Sequence, residues 1–466
     1  MQRLTDVVPS MTNELFVRRS EMPASAETVF AWHERPGAFE RLAPPWDRVE
    51  LVEQSGGIQD GARVVLRVGP LRQKWIAEHR NYVPGRSFQD VQVSGPFAHW
   101  AHTHSVEPID ETRCILEDRI EYRLPAGKVG NTAGGGMVRS MLDRMFTYRH
   151  EITADDVAAI QQRKEQTMST IGVTGASGMV GSTVVPMLTT AGHSAFRFVR
   201  RPAKSEDERQ WTPSEPQLDP KQFEGLDAVI HLAGENIGDS RWTQSKKQRI
   251  RDSRVDGTRR LAEALAKLEQ PPKTLVCASA TGFYGDRGDE ILTEQSDAGT
   301  GFLTDVCQEW EAAAGPAREA GIRVVHVRLG MILSPKGGAL QKMLTPFKLG
   351  GGGVVGDGNQ YWSWIALDDA AAIFTRAATD AGLEGPVNAV TPNPVTNREF
   401  TQTLAKVLHR PAIIPVPKFA ARLALGEMAD ELLFASVRVM PEKLQASDYA
   451  FRYPELEEAL RHLLGR

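Results

Sequence analysis

The chain has 466 residues, 41% hydrophobic and 24% charged, with a formal net charge of -4. That length exceeds what one compact core serves, so two or three domains are expected, and the near-balanced charge gives no bulk electrostatic case for nucleic acid. No apolar run approaches the roughly 18 residues that span a bilayer. Residues 1–6 lack the basic-then-apolar order of a signal peptide. Three cysteines, Cys114, Cys277 and Cys307, lie too far apart in sequence to frame disulfides or zinc. The expectation is a cytoplasmic protein with reduced thiols.

From about Thr12 to Arg123 the pattern is mostly short strands. Residues 16–19 read as a strand, and Ser25 as the N-cap of a helix over 27–32 with Glu27 in its first turn. Pro36, Pro44 and Pro45 bracket a second short helix over 38–42. Strands follow at 63–68, 75–82, 87–93, 100–106 and 113–122, with turns at Gly56-Gly57, Pro84-Gly85 and Gly95-Pro96. After the cluster Gly134-Gly135-Gly136 a long helix is expected, its apolar face marked by Met137, Met141, Met145, Tyr148 and Ile152. His102 and His104 share one face of a strand, but no third ligand stands at metal spacing, so no metal site is expected.

This order, with the segments 29–36 and 42–46, resembles the helix-grip fold of the START-like (SRPBCC) superfamily in its cyclase/dehydrase-type branch. The resemblance implies an antiparallel sheet curled around the long helix and an apolar ligand in the pocket between them. Aromatics that simply fill a core explain the same spacing.

The polar run from Gln161 to Ser169 reads as a helix end and linker, which puts a boundary near 165. Beyond it strands and helices alternate, as a doubly wound parallel α/β sheet requires. Strands are expected at 171–173, 195–199, 227–232, 274–279 and 324–327; Leu261, Leu265 and Leu268 line a helix that Pro271-Pro272 ends. After the first of these strands comes Thr174-Gly175-Ala176-Ser177-Gly178-Met179-Val180-Gly181, leading into a helix with Val180, Val184 and Leu188 on one face. Strand, glycine turn and helix in that order make a dinucleotide cradle: the glycines permit a tight turn and close approach, and the helix N-terminus offers N–H groups to phosphate. An acidic residue for a ribose 2′-hydroxyl is expected about 20 residues on. The second strand instead ends in Arg200-Arg201, whose guanidinium forks suit a 2′-phosphate, so NADP is the expected cofactor. Solvated loop arginines are the alternative.

Residues 170–466 resemble the atypical extended short-chain dehydrogenase/reductase group of epimerase family proteins (nucleoside-diphosphate-sugar epimerase-like, some labelled cell-division inhibitors). The motifs that carry the resemblance are 231–237, Arg241-Trp242, 250–258, 279–285, 302–311, 363–365 and 388–395. The family implies a Rossmann domain, and a C-terminal segment of unknown function matching the apolar helical pattern of Leu423, Leu425, Met428, Leu432 and Leu433. Expected parts are thus 1–165 START-like, 170–415 Rossmann, and 416–466 a helical cap. The cofactor would touch Gly175, Ser177, Gly178, Met179, Gly181, Arg200, Arg201, Ala233, Gly234, Glu235 and Arg241.

The usual catalytic Tyr-x-x-x-Lys pair of such reductases is absent: the window reads Leu303-x-x-x-Cys307. The hydroxyl position falls on Ala280, with Ser279 and Thr281 either side, and Arg254 stands where Asn is common. Tyr284 is the substitute proton donor, with Ser279 or Thr281 as partner, because all three follow the fifth strand of the sheet; a packing role is the alternative. Cys307 is either a nucleophile or, more in keeping with its neighbours, a small hydrophobe. Gly350 to Gly353 form a loop where Arg328 could hold an anion. The function expected is an NADP-dependent epimerase or oxidoreductase on a small, nucleotide-sugar-like carbonyl or alcohol. Its rival is an NADP(H) sensor coupled to the START-like domain.

Overall fold

A computed structural model describes residues 13–125, 127–162, 167–213 and 218–466. The expected signal-free N-terminus and part of the linker therefore lie outside the described residues. The chain forms two compact units that divide between Glu165 and Gln166.

The first unit runs β1 (Glu14–Met22), α1 (Ala26–Glu34), α2 (Ala38–Leu42), β2 (Val49–Ser55), β3 (Arg63–Val68), β4 (Gln73–Val83), β5 (Ser87–Ser94), β6 (His99–Pro108), β7 (Cys114–Arg123) and α3 (Gly127–Gln161). Its seven strands lie in the order β1-β7-β6-β5-β4-β3-β2, and every neighbouring pair is antiparallel. Ser25 caps α1, accepting from the Thr28 N–H at 3.3 Å. The strand β2 escapes the sequence pattern because it is an edge strand, exposed along most of its length, and so carries no in–out alternation. The long helix begins seven residues before the glycine cluster, which lies inside it. Packing fixes this helix against α1, α2 and β1, and tertiary contacts override a glycine penalty of roughly 1 kcal/mol per residue.

The face of this sheet turned to α3 is not purely apolar. Two hydrophobic clusters, one around Trp32 and Phe88 and one around Trp100 and Phe146, flank a buried band of His33, His79, His102, His104, Asp118 and His150. Burial alone would strip a proton from His104, but the charges of Asp118 and Asp90 outweigh it and raise its pKa to about 9. Below α2, the guanidinium of Arg41 forks onto Asp156 of α3 at 2.8 and 3.0 Å, with both side chains 3% exposed.

The second unit contains β8 (Thr170–Thr174), α4 (Gly181–Thr190), β9 (Ser194–Val199), β10 (Glu208–Gln210), β11 (Ala228–His231), α5 (Gln244–Ala266), β12 (Thr274–Ala280), β13 (Ile291–Leu292), α6 (Phe302–Ala312), α7 (Gly315–Glu319) and β14 (Arg323–Leu329). It continues with β15 (Met331–Leu333), α8 (Gly338–Lys348), β16 (Tyr361–Trp362), β17 (Trp364–Ala366), α9 (Leu367–Thr379), β18 (Gly385–Ala389), β19 (Val395–Thr396) and α10 (Asn397–Leu408). The last stretch holds α11 (Lys418–Leu425), α12 (Glu427–Ala429), β20 (Arg438–Val439), α13 (Glu442–Ala446) and α14 (Leu456–Leu464).

Seven parallel strands in the order β10-β9-β8-β11-β12-β14-β18 form the main sheet. One apolar cluster fills the side of α4 and α9, and another the side of α5 and α7. Such fully covered strands read as continuous apolar runs, which is why β8, β11, β12 and β14 were visible in the sequence. The C-terminal stretch is not wholly helical: β20 pairs in parallel with β13, and α14 packs on α10 within the same unit.

Candidate functional site

The strand order reverses between β8 and β11, so a crevice opens beyond their C-terminal ends, where open α/β sheets bind ligands. The glycine turn lies at that point. Gly175 has φ +68°, and a Cβ there would stand 2.8 Å from the Leu232 carbonyl carbon and oxygen. A Cβ on Gly178 would meet the Gly175 oxygen at 3.2 Å, and one on Gly181 would collide with that oxygen and lie 2.7 Å from Ala176 Cα. Gly175 and Gly181 thus serve close backbone approaches that a side chain would block, and Gly178 a tight one. The Gly178 N–H closes the turn onto the Gly175 carbonyl at 2.9 Å, and Ser177 and Gly178 are exposed at its crest. Met179 packs on the turn before α8, its sulfur 3.1 Å from where a Gly337 Cβ would lie.

The two arginines after β9 separate in role. Arg201 spans Glu208 with two bonds of 2.7 Å, a pairing that leaves its fork committed. Arg200 is exposed and makes no hydrogen bond or ion pair among the described residues. Of the two expected phosphate ligands, Arg200 is the available one. Arg201 shapes the loop, because the acid that captures it lies seven residues on in a strand too short to read from sequence.

Ala233 and Gly234 follow β11 on the opposite lip of the crevice. The Glu235 N–H donates to Ser253 Oγ at 3.0 Å. The Glu235 carboxylate accepts from Lys246 at 2.8 Å and Arg249 at 3.3 Å, and the Lys246 bond draws its pKa below the usual range. Arg254 donates to the Glu235 carbonyl at 3.1 Å, so the departure from Asn at this position braces the same loop. Arg241 is exposed beside Gly426 of the C-terminal stretch.

The expected catalytic hydroxyls lie among buried partners. Cross-strand register sets Ser279, Arg328 and Asn388 in one row over β12, β14 and β18. Arg328 forks onto Glu311 at 2.8 and 2.9 Å, and Ser279 donates to the same carboxylate at 2.7 Å. Tyr284, fully buried, accepts from Arg328 at 3.0 Å and donates to Asn388 Oδ1 at 2.7 Å. Burial pushes the Tyr284 hydroxyl above its ordinary pKa, although Arg328 and Asn388 oppose the shift. The hydroxyls of Ser279 and Tyr284 are thus both engaged with Glu311, Arg328 and Asn388. Thr281 is the half-buried hydroxyl of the three, in the turn that follows β12. Arg328, 4% exposed and paired, is no anion ligand for the glycine loop, which instead folds tightly: a Cβ on Gly353 would overlap the Ile414 carbonyl. Cys307 is buried, and desolvation raises its pKa to about 12, as suits a small hydrophobe. Sequence reasoning missed the Glu311–Arg328 pair. Its signal was a charge inside the apolar run Val324 to Leu329.

Tyr284→Phe is expected to destabilise the second unit by about 1–3 kcal/mol, since it leaves a buried Asn388 oxygen unpaired. Denaturant unfolding of wild type and variant measures this, and an unchanged midpoint would place the hydroxyl outside the network.

Residues 171–389 match the model of the NAD dependent epimerase/dehydratase family, 22–146 that of polyketide cyclase/dehydrase and lipid transport, and 416–463 a domain of unknown function. An epimerase family protein of Mycobacterium bovis is 40% identical over 296 residues, 64% of this chain and 98% of its own length. The chain belongs to the epimerase family. A nucleoside-diphosphate sugar epimerase from Corynebacterium glutamicum is similar over 97% of this chain and 90% of its own, at 35% identity and a TM-score of 0.81. The human epimerase family protein SDR39U1, solved with NADPH, is 32% identical with a TM-score of 0.59, covering 63% of this chain and 99% of its own. The first similarity spans nearly the whole chain, START-like unit included. The second is confined to a length of chain comparable to the Rossmann unit with its C-terminal stretch. Among the described residues no helix is long and apolar enough to cross a membrane.

Proposed function

We propose that the second unit binds NADP(H) in the crevice beyond β8 and β11 and acts, as an atypical member of the epimerase family, on a small nucleotide-sugar-like carbonyl or alcohol. The observation that carries this reading is the glycine turn, where backbone approaches at Gly175 and Gly181 exclude side chains, beside the unpaired guanidinium of Arg200. The human relative solved with NADPH supports the cofactor, and the Corynebacterium epimerase supports the substrate class. When bound, the nicotinamide supplies or accepts hydride. The chain's part is to hold the phosphates on the turn and the 2′-phosphate on Arg200, and to offer Thr281, half-buried in the turn after β12, as a hydroxyl.

Arg200→Ala is expected to weaken NADPH roughly tenfold or more while leaving NADH nearly unchanged, because a charge-assisted bond to phosphate is lost only for the former. Fluorescence titration with both nucleotides measures this; equal losses would remove the phosphate-binding role.

The burial of Ser279 and Tyr284, with no Tyr-Lys pair, favours a second reading in which the crevice senses NADP(H) without turnover. Incubation with a nucleotide-sugar panel and deuterated NADPH separates the two. Label in a sugar supports the enzyme, and its absence across the panel supports the sensor.

A further inference from the structure

We propose that the first unit binds one divalent first-row transition-metal ion between Asp90, His102 and His104, with Asp118 behind both imidazoles. The antiparallel register assembles the set. Asp90 on β5 lies opposite His102 on β6, His104 follows two residues along the same face, and Asp118 on β7 lies opposite His104. No spacing within one segment shows this, which is why the two histidines lacked a third partner in the sequence.

The donor atoms suit an ion. His102 Nδ1 is 2.9 Å and His104 Nε2 3.6 Å from Asp90 Oδ2, and the three atoms lie within 4.8 Å of one another. A tetrahedral ion with bonds of about 2.0–2.2 Å separates its ligands by roughly 3.3 Å, so small side-chain adjustments close the site. Two imidazole nitrogens and one carboxylate favour zinc, iron or cobalt over magnesium or calcium, which prefer oxygen.

The carboxylate behind the two rings gives the second argument. Asp118 Oδ1 lies 2.8 Å from His102 Nε2 and 2.6 Å from His104 Nδ1. A carboxylate accepts only, so a ring nitrogen bonded to it there bonds through N–H. The nitrogens that face Asp90 are the ones a metal ion would take. A carboxylate that takes the far N–H of each ligand histidine is also the arrangement that fixes the tautomer for a metal. Asp118 is itself held: its Oδ2 lies 2.7 Å from His150 Nε2, and His150 Nδ1 reaches Ser20 Oγ at 2.8 Å.

The surroundings balance the charge. Two carboxylates match one dication. Arg149 turns its Nε to the Leu42 carbonyl, and His33 turns Nδ1 to the Val29 carbonyl. His79, buried opposite Asp90 on β4, has an Nδ1 without a hydrogen-bond partner among the described residues. Arg149 adds a fixed positive charge near Asp118 and Asp90.

The test uses the full chain, stripped with chelator, dialysed and titrated with Co²⁺ alone, then Zn²⁺. One equivalent of Co²⁺ with intense visible ligand-field bands, displaced by Zn²⁺, is expected. Asp90→Asn and His104→Gln should each weaken it at least tenfold, and Asp118→Asn about 10–100-fold. Thermal unfolding checks that the variants fold, and unchanged NADPH binding checks the other unit. Failure of wild type to bind an equivalent, or equal binding by all variants, would overturn the site and leave the ring closed by protons. Should the variants not fold, nitrogen NMR of wild-type imidazoles decides. Zn²⁺ must move the His102 and His104 resonances, and a response confined to other histidines overturns the proposal.

Discussion

Arg328→Met is expected to destabilise the second unit by about 3–5 kcal/mol, the cost of stranding a buried carboxylate. Glu311, 14% exposed at its side chain, would lose two bonds and its balancing charge while still accepting from Ser279. In wild type, burial pushes the Glu311 pKa up, but the bonds and charge of Arg328, helped by His326 and Ser279, outweigh it and leave a net lowering. A lowered folded pKa adds stability above the unfolded value of about 4.3 and loses it as pH falls through the folded pKa. Without Arg328 the sign reverses: burial favours the neutral acid, so the variant is least impaired below about pH 4 and loses ground as pH rises. The deficit in denaturant unfolding should therefore widen from about pH 4 to pH 7. Adding Glu311→Leu should restore part of the loss, because an apolar pair of similar volume leaves no stranded charge. A pH-independent deficit, or no recovery in the double variant, would mean that the pair does not hold this end of the sheet.

The same row of residues marks where sequence reading stopped. Strands β8, β11, β12 and β14 were legible because both faces are covered and apolar. The glycine turn was legible because its residues are dictated by backbone approach rather than by neighbours distant in sequence. The roles of Tyr284, Ser279 and Arg201 were not, since each depends on a partner supplied by another strand or loop: Asn388 on β18, Glu311 on α6, Glu208 on β10. The polar band in the first unit is the same lesson on an antiparallel sheet, where Asp90 meets His102 only through register. Local conformation was readable from local sequence, whereas the fate of a hydroxyl or guanidinium was settled by pairing across the sheet.

Gly175→Ala should lower NADPH affinity roughly a hundredfold or more, about 3 kcal/mol, with a smaller effect on folding. A side chain at φ +68° carries about 1–2 kcal/mol of backbone strain. Its Cβ would also press on the Leu232 carbonyl at 2.8 Å and the Ala233 nitrogen at 2.9 Å, atoms of the opposite lip of the crevice. Relief requires the turn and the β11 end to part, which moves the N–H groups of the turn away from the phosphates and disturbs Ala233 and Gly234 together. Ser177→Ala is the matched control: Ser177 is exposed at the crest, and its side chain makes no described hydrogen bond, so its loss should remain under roughly tenfold. Fluorescence titration of both variants, with thermal unfolding alongside, distinguishes a damaged cradle from a damaged fold. If Gly175→Ala bound NADPH like wild type, the turn would be serving only the packing of α4 on the sheet, and the cofactor would have to be sought elsewhere along the strand ends.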